Sequence, residues 1–491
     1  MEFLEELAIA VQSVSDLEHF IEDHFNKIFD FFNLLKDQEL VNRRHKVRDL
    51  QLSITIIESL DFTKEKNAAF LNLLLRVTIR LGLRLFFQRL YAFAKREELV
   101  VNRLIEASSY YMFGAPTTQD ILDGYTKFIE ELELVYLEEE DNQDFSLVAL
   151  FNLYAWFVEQ FVFATEPKKA LRSKIWQTYQ DDKHQFIRHP IVEAVYEVDI
   201  SQVRPTRAND IRKVLEDFLG RDRTIGHFST DTFIIESEGD YVGLFAQASC
   251  GFEVVQRIAS SEYLKIKDDR IFRSLGRGVF VLDDPKQLLA YMYAYGNMHQ
   301  AKLQSGYEAL PSDVLAKTVE VVDWACGQAV ATLSYIDFLQ GQSCDLALIH
   351  QVTLIEPSEV ALRRASFHVN CCLDGDKVKT VNKAFDHLYT GDVTHCSNHV
   401  TIHLFSNILD MNVFSHEKLI QFINATFRGR NVFVIVSPLV NNTKTMAIDA
   451  FVDSYSAKQG FNLLAEENNA SGTWVAGKNW SRVLRVFEVY L

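Results

Sequence analysis

The sequence predicts a multidomain α plus α/β protein. It divides into an all-helical region over residues 1–185, a small mixed α/β segment over 186–285, and a largely parallel sheet with helices on both faces over 286–491, introduced by a leading helix. Three observations carry this prediction. At 491 residues the chain exceeds what one hydrophobic core accommodates. Apolar residues in the first part recur with the 3.6-residue period of helices. In the last part, continuous apolar runs alternate with helical patterns, as in sheets buried on both faces.

The helical region is read from spacing. Leu17, Phe20, Ile21, Phe25, Ile28, Phe32 and Leu35 fall on one helical face, and Ser15 with Glu18 matches a capping box. The same period recurs over 50–96, 121–137 and 145–163, with breaks at Gly114-Ala115-Pro116 and in the acidic run 138–144. The most membrane-like run, 149–165, contains Asn152, Glu159 and Gln160, so a buried or interface helix is expected and no membrane span. In the middle segment, Asn209–Leu219 reads as a helix stopped by Gly220. The alternating runs 232–236 and 241–245 around Ser237-Glu-Gly-Asp240 read as a β-hairpin. After a helix beginning at Asp283, the runs VEVVD, VTLIE, KVKTV, VTIHLF and NVFVIV read as successive parallel strands, with 473–477 and 483–490 as a closing antiparallel pair.

Composition narrows the function. Hydrophobic residues at 48% and charged residues at 24%, with 37 Phe against 8 Pro, are those of a packed, helix-rich globular protein. A formal net charge of -17 disfavours a phosphate backbone as general partner, so nucleic acid would need a local basic face. Arg76, Arg80 and Arg84, with Arg89, Lys95 and Arg96 beyond, offer such a stripe, although a solvated helix face is the simpler account. The Phe-rich helical region offers a surface for a protein partner. Six cysteines without CxxC spacing read as reduced, buried thiols, and the acidic N-terminus does not match a secretory signal, so a cytoplasmic protein is expected.

The strand VEVVD ends at Asp323, and Ala325, Gly327 and Ala329 follow, small residues placed where a ligand meets the carboxyl end of a strand in a doubly wound sheet. The next strand ends at Glu356, a carboxylate able to accept hydrogen bonds from two ribose hydroxyls, and Ser358 is placed to cap the following helix. A structural strand-to-helix turn without a ligand is the plainer alternative.

On these residues the last 180 or so positions resemble the class I S-adenosylmethionine-dependent methyltransferases, whose first motif, acidic-x-G-x-G-x-G, is matched here by Asp323-Trp324-Ala325-Cys326-Gly327-Gln328-Ala329. The resemblance implies a Rossmann-like sheet and S-adenosylmethionine as cofactor. It places Asp323, Ala325, Gly327 and Ala329 against the cofactor, Glu356 at the ribose and Phe385 near the adenine. It sets Tyr295, His299 and Lys302 above the site, and Asn407, with Asp410, at the transferred methyl, where a helix cap is the alternative role. Ala329 adds a methyl where the family has its third glycine. Glu356 follows Asp323 by 33 residues, with the surplus over the roughly 20 of dinucleotide-binding units assigned to a lengthened loop around 339–345.

No Asp/Asn-Pro-Pro-aromatic tetrad follows the fourth strand and no cysteine follows the fifth, so the acceptor is left open among RNA, protein and small molecules. A degenerate fold acting as a binding or scaffold module is the competing reading. His395, Cys396, His399 and His403, with Cys371 and Cys372, match no standard zinc spacing, and packed or surface histidines without a metal are expected.

Overall fold

The computed structural model describes residues 3–34, 37–112, 117–138, 144–161, 163–181, 183–198, 207–218, 233–237, 239–245, 251–268, 271–272, 275, 281–411, 413–439, 442–469 and 481–491. The chain forms two compact units, residues 1–224 with 440–446, and residues 225–439 with 447–491.

The regular structure among the described residues of the first unit is all helix, with long helices at Val14–Leu34, Glu65–Arg80, Arg84–Arg96, Thr118–Glu138, Asp144–Gln160 and Thr165–Gln180. The periodic Leu17, Ile21, Phe25, Ile28 and Phe32 are all buried. The first of these helices is capped two residues earlier than expected: the Asp16 amide donates to Ser13 Oγ at 3.1 Å. Both serines have an acid three residues on, but Glu18 is engaged elsewhere, accepting from the Asp61 amide at 2.9 Å and from Lys64 at 2.6 Å. The apolar run in Asp144–Gln160 is buried from Leu147 through Val158 apart from a few positions. Among the described residues no helix is long and apolar enough to cross a membrane.

The basic stripe is broken. Gly82, at φ 60°, turns the chain between Glu65–Arg80 and Arg84–Arg96, so Arg76 and Arg80 lie on one helix and Arg84 on the next. A regular four-residue spacing across such a turn does not make one face. Arg80 donates to the Phe32 carbonyl at 2.7 Å, Arg84 lies over the Trp156 ring, and Arg89 forms a two-pronged pair with Glu58 at 3.2 Å.

The expected hairpin is absent among the described residues. Residues 233–237 form no strand, and Asp240–Gly243 is one helical turn. The alternation instead marks a segment with one side buried: Ile234 N donates to Thr380 Oγ1 at 2.9 Å, and Glu236 N to the Arg363 carbonyl at 3.0 Å. The cysteine reading also changes, because Cys372 is disulfide-bonded while Cys326, Cys344, Cys371 and Cys396 are free.

The second unit is built on a seven-stranded sheet in the order β3-β2-β1-β4-β5-β7-β6. Its strands are β1 (Val319–Trp324), β2 (Ile349–Ile355), β3 (Val378–Val381), β4 (Val400–Ser406), β5 (Arg430–Ser437), β6 (Asn462–Asn469) and β7 (Arg482–Tyr490). The first five are parallel, and β7 runs antiparallel to both β5 and β6. All five apolar runs named from the sequence are strands. The partner of β7 is 462–469, whereas 473–477 lies outside the described residues. That strand, NLLAEENN, sits at the sheet edge with its register shifted between Leu463 and Ala465. It was unreadable because an edge strand needs no apolar run.

Alternate strand residues feed two apolar layers, as a sheet covered on both faces requires. Val319, Val321, Leu354, Ile402 and Val434 pack on one side with Tyr307, Tyr335 and Leu362, and Val322, Trp324, Ile355, Phe405 and Phe433 on the other with Leu419, Phe422 and Phe451. The long helix Pro285–Glu308 is fixed at its start by a capping box between Asp284 and Gln287. It lies tight against the sheet near its end, where a Cβ on Gly306 would come within 2.8 Å of Val434 Cγ1. The expected loop at 339–345 begins later, since the helix Val330–Gly341 takes its first three residues; residues 342–345 then turn the chain and Leu346–Leu348 forms a short 3-10 turn into β2.

Candidate functional site

The site is assembled where the sheet's strand order reverses, between β1 and β4, at the carboxyl ends of the strands. After β1 the chain makes an unusual turn in which all three motif positions are left-handed: Ala325 at φ 51°, Gly327 at 52° and Ala329 at 63°. A left-handed alanine costs about 1–2 kcal/mol relative to its right-handed form, so this backbone path is held by its surroundings. Three bonds hold it. Cys326 N donates to the Ile355 carbonyl at 3.0 Å, Gln328 Nε2 to the Leu288 carbonyl at 2.9 Å, and Gly327 N to Glu356 Oε2 at 3.0 Å.

Gly327 is the partly exposed, unobstructed point of the turn. A Cβ built there meets nothing within 4 Å, which leaves open space directly before the backbone. Ala329 behaves differently, since it is fully buried and its methyl belongs to the apolar layer under the turn.

Glu356 spans the ends of β1 and β2. One oxygen accepts from Gly327 N and the other from Ser358 N at 2.9 Å, and each keeps a lone pair for another donor. Burial lifts its carboxyl to about 7, against the pull of the Ser358 and Gly327 amides. Asp323 is also buried and raised to about 7 by burial; its Oδ2 accepts from Thr332 Oγ1 at 2.7 Å and Thr332 N at 3.2 Å. That carboxylate braces the turn against the following helix. Ser358 caps its helix as expected, accepting from Ala361 N at 3.0 Å, and Asn382 secures the Glu356 and Pro357 carbonyls at 3.0 Å each.

On the other side of the reversal, Asn407 follows β4 at φ 55°, its amide donating to the Val436 carbonyl at 2.7 Å. Its Nδ2 donates to His299 Nδ1 at 2.9 Å, while its Oδ1 is buried with no hydrogen-bond partner among the described residues. Burial, followed by nearby Lys302, drives His299 down to about 3, so the imidazole is neutral and free to accept at Nδ1. Tyr291, Tyr295 and His299 recur on one face of the helix Pro285–Glu308, with ring centroids 5.2 Å apart between the tyrosines and 5.7 Å between Tyr291 and His299. Neither Asn407 nor Asp410 caps a helix; Ser415 caps His416–Thr426, accepting from Lys418 N.

The structure therefore brings Asp323, Ala325, Gly327, Ala329 and Glu356 together around one turn, and joins Asn407 to His299. Phe385 is buried in the apolar layer that Ala325 borders, 6% exposed and packed on Trp324 and Phe414. Asp410 is buried at 2% exposure. Thr332 and Gln328, which hold the turn, carry no sequence signal for that role. The histidine set separates: His403 is a fully buried core residue between Trp324 Nε1 at 3.2 Å and Asn431 Oδ1 at 3.0 Å, pushed down to about 3 by burial.

No protein-family model matches the chain, and no curated protein matches it. Solved structures similar to it include the plantazolicin methyltransferase BpumL in complex with SAH, 11% identical, covering 48% of this chain and 95% of that one at a TM-score of 0.28. Another is the precorrin-6y C5,15-methyltransferase of Geobacter metallireducens, 13% identical, covering 39% and 88% at 0.25. A third is the methyltransferase subunit of a type I restriction-modification system from Streptococcus thermophilus, 11% identical, covering 75% and 85% at 0.26. At such scores the fold assignment rests on the strand order and register of the chain itself.

Proposed function

We propose that this chain, whose sheet unit has the class I methyltransferase fold, binds S-adenosylmethionine at the Ala325–Ala329 turn and transfers its methyl group. The observation that carries the reading is the pairing of an unobstructed Gly327 with a buried carboxylate across the ends of β1 and β2. The residues suit the cofactor: Gly327 lets it approach the backbone, and the Glu356 oxygens retain acceptor capacity for the two ribose hydroxyls. The orphaned Asn407 Oδ1 supplies an acceptor for an N–H or O–H group. The cofactor would supply an electrophilic methyl group.

The chain's own part is alignment and exclusion of water. Neutral His299 fixes the Asn407 amide so that its carbonyl oxygen is presented, and holding reactants in line accounts for much of the rate in a transfer of this kind. The tyrosines of the Pro285–Glu308 helix give that side of the site an apolar, partly exposed wall. The acceptor is RNA, protein or a small molecule.

Calorimetry of the full chain with S-adenosylmethionine and S-adenosylhomocysteine tests the proposal. Binding of either, lost in Glu356→Ala, supports it. Absence of binding at millimolar ligand refutes it and favours the scaffold reading, in which the left-handed alanines keep the shape of the turn without its use.

A further inference from the structure

At the amino ends of the strands, away from Gly327, three adjacent strands bring together a carboxylate and two imidazoles that methyl transfer does not use. Glu320 is the second residue of β1, His350 the second of β2, and His399 directly precedes β4. The order β2-β1-β4 makes them neighbours, although 49 residues separate the two histidines in sequence. One ligand atom from each lies within 4.8 Å of the other two. Glu320 Oε1 is 3.5 Å from His399 Nδ1, and the two imidazole rings sit 4.5 Å apart at 63°.

We propose that Glu320, His350 and His399 form a binding site for a divalent transition-metal cation of the zinc class. Two nitrogens and one carboxylate oxygen are the donors such ions take, with water completing the shell. A tetrahedral centre with bonds of about 2.0–2.1 Å spaces its ligand atoms about 3.4 Å apart. The Glu320–His399 pair already has that separation, and His350, exposed at the surface, closes the remaining gap by turning its side chain.

Three further observations support a site rather than a chance cluster. The carboxylate is oriented from behind: His395 Nδ1 lies 3.0 Å from Glu320 Oε2, and the Cys396 amide donates to both oxygens at 3.2 and 3.1 Å. Partners of this kind fix the direction of a metal-binding carboxylate. His399 Nδ1 is itself buried and, beyond its 3.5 Å approach to Glu320 Oε1, makes no hydrogen bond among the described residues, so it remains available as a ligand. The register between β1 and β2 is also irregular between Val319 and Glu320, and such irregularities re-aim side chains. A cation here would tie β2, β1 and β4 together. Its competitor is a simple carboxylate–imidazole cluster with no metal.

The test uses the full chain, stripped with EDTA and titrated with ZnCl2 and, separately, CoCl2. The expected result is one tight equivalent of zinc, a visible cobalt absorption band of a low-coordinate site, and a rise in Tm with zinc. His350→Ala, at an exposed position, leaves the fold intact, weakens zinc binding at least tenfold and removes the Tm rise. His399→Ala, read by the cobalt spectrum, does the same. Equal zinc binding by wild type and His350→Ala, or a wild-type Tm indifferent to excess zinc, overturns the proposal. None of these readouts involves S-adenosylhomocysteine, so this result is independent of the methyltransferase reading.

Discussion

Glu356 is half-ionised near neutrality, because burial lifts its carboxyl to about 7. Ribose hydroxyls donate hydrogen bonds, and only the ionised form offers both oxygens as acceptors. With a pKa near 7, about one carboxyl in eleven is ionised at pH 6 and about ten in eleven at pH 8. Affinity for S-adenosylhomocysteine should therefore rise about tenfold between those values in the wild type and stay flat in Glu356→Gln. The same titration acts on folding with the opposite slope. A carboxyl whose folded pKa lies above its unfolded value of 4.5 stabilises fully below about pH 4.5, and that contribution is lost as pH rises through about 7. The difference between 4.5 and about 7 corresponds to about 3 kcal/mol. Glu356→Gln should flatten this part of the pH–stability curve. It also leaves an amide NH2 facing the Gly327 or Ser358 N–H, at a cost of roughly 1–3 kcal/mol. Isothermal titration calorimetry at pH 6, 7 and 8 and fixed ionic strength, with urea unfolding over the same range, measures both slopes. Asp323 also lies at about 7, which is why the variant is needed to separate the two groups. Equal wild-type affinity at pH 6 and pH 8, or an unchanged pH slope in Glu356→Gln, would refute the reasoning.

Three other substitutions have expected outcomes. Gly327→Ala meets no steric obstacle, so its folding cost is the left-handed alanine, about 1–2 kcal/mol, offset in part by roughly 0.4–1 kcal/mol of lost unfolded-state entropy; the added methyl projects into the open space, and calorimetry should show S-adenosylhomocysteine affinity falling at least tenfold. Ala325→Gly should raise Tm slightly in a thermal melt, since relief of about 1–2 kcal/mol of left-handed strain exceeds the roughly 0.4–1 kcal/mol of added unfolded-state entropy; a fall in Tm would contradict the strain. Trp324→Ala empties a fully buried position stacked on Phe405 at 5.4 Å and strips His403 of its indole donor, so urea unfolding should show a loss of about 3–5 kcal/mol.

What the sequence disclosed follows from what each residue must satisfy. The five parallel strands were legible because burial on both faces forces unbroken apolar runs such as VTIHLF and NVFVIV. The edge strand NLLAEENN was not, because one free side relaxes that demand. The false hairpin arose from Ile234 and Tyr241, whose burial produces alternation without strand pairing. At the candidate site, Asp323, Gly327 and Glu356 were legible through spacing at strand ends. The left-handed conformation of Ala325 and Ala329 was hidden, since nothing about alanine announces it. Ser13 competed with Ser15 on equal local terms, and only the engagement of Glu18 by the distant Asp61–Lys64 turn decided between them. The Glu320–His350–His399 cluster was beyond any local pattern, because the sheet, and not the chain, makes its members adjacent.

The polar strand at the sheet's margin has a consequence for how the protein behaves in crowded solution. A sheet that ends in open backbone invites a second molecule to continue it, and that invitation is how ordered aggregates begin. Here the last strand carries Glu466 and Glu467 and ends in two asparagines, and its shifted register twists the free edge out of the flat geometry a recruit would need. Replacing Glu466 and Glu467 with valine would give the chain a route to self-association, and would also strip the buried Arg482 and Arg485 of these carboxylate partners.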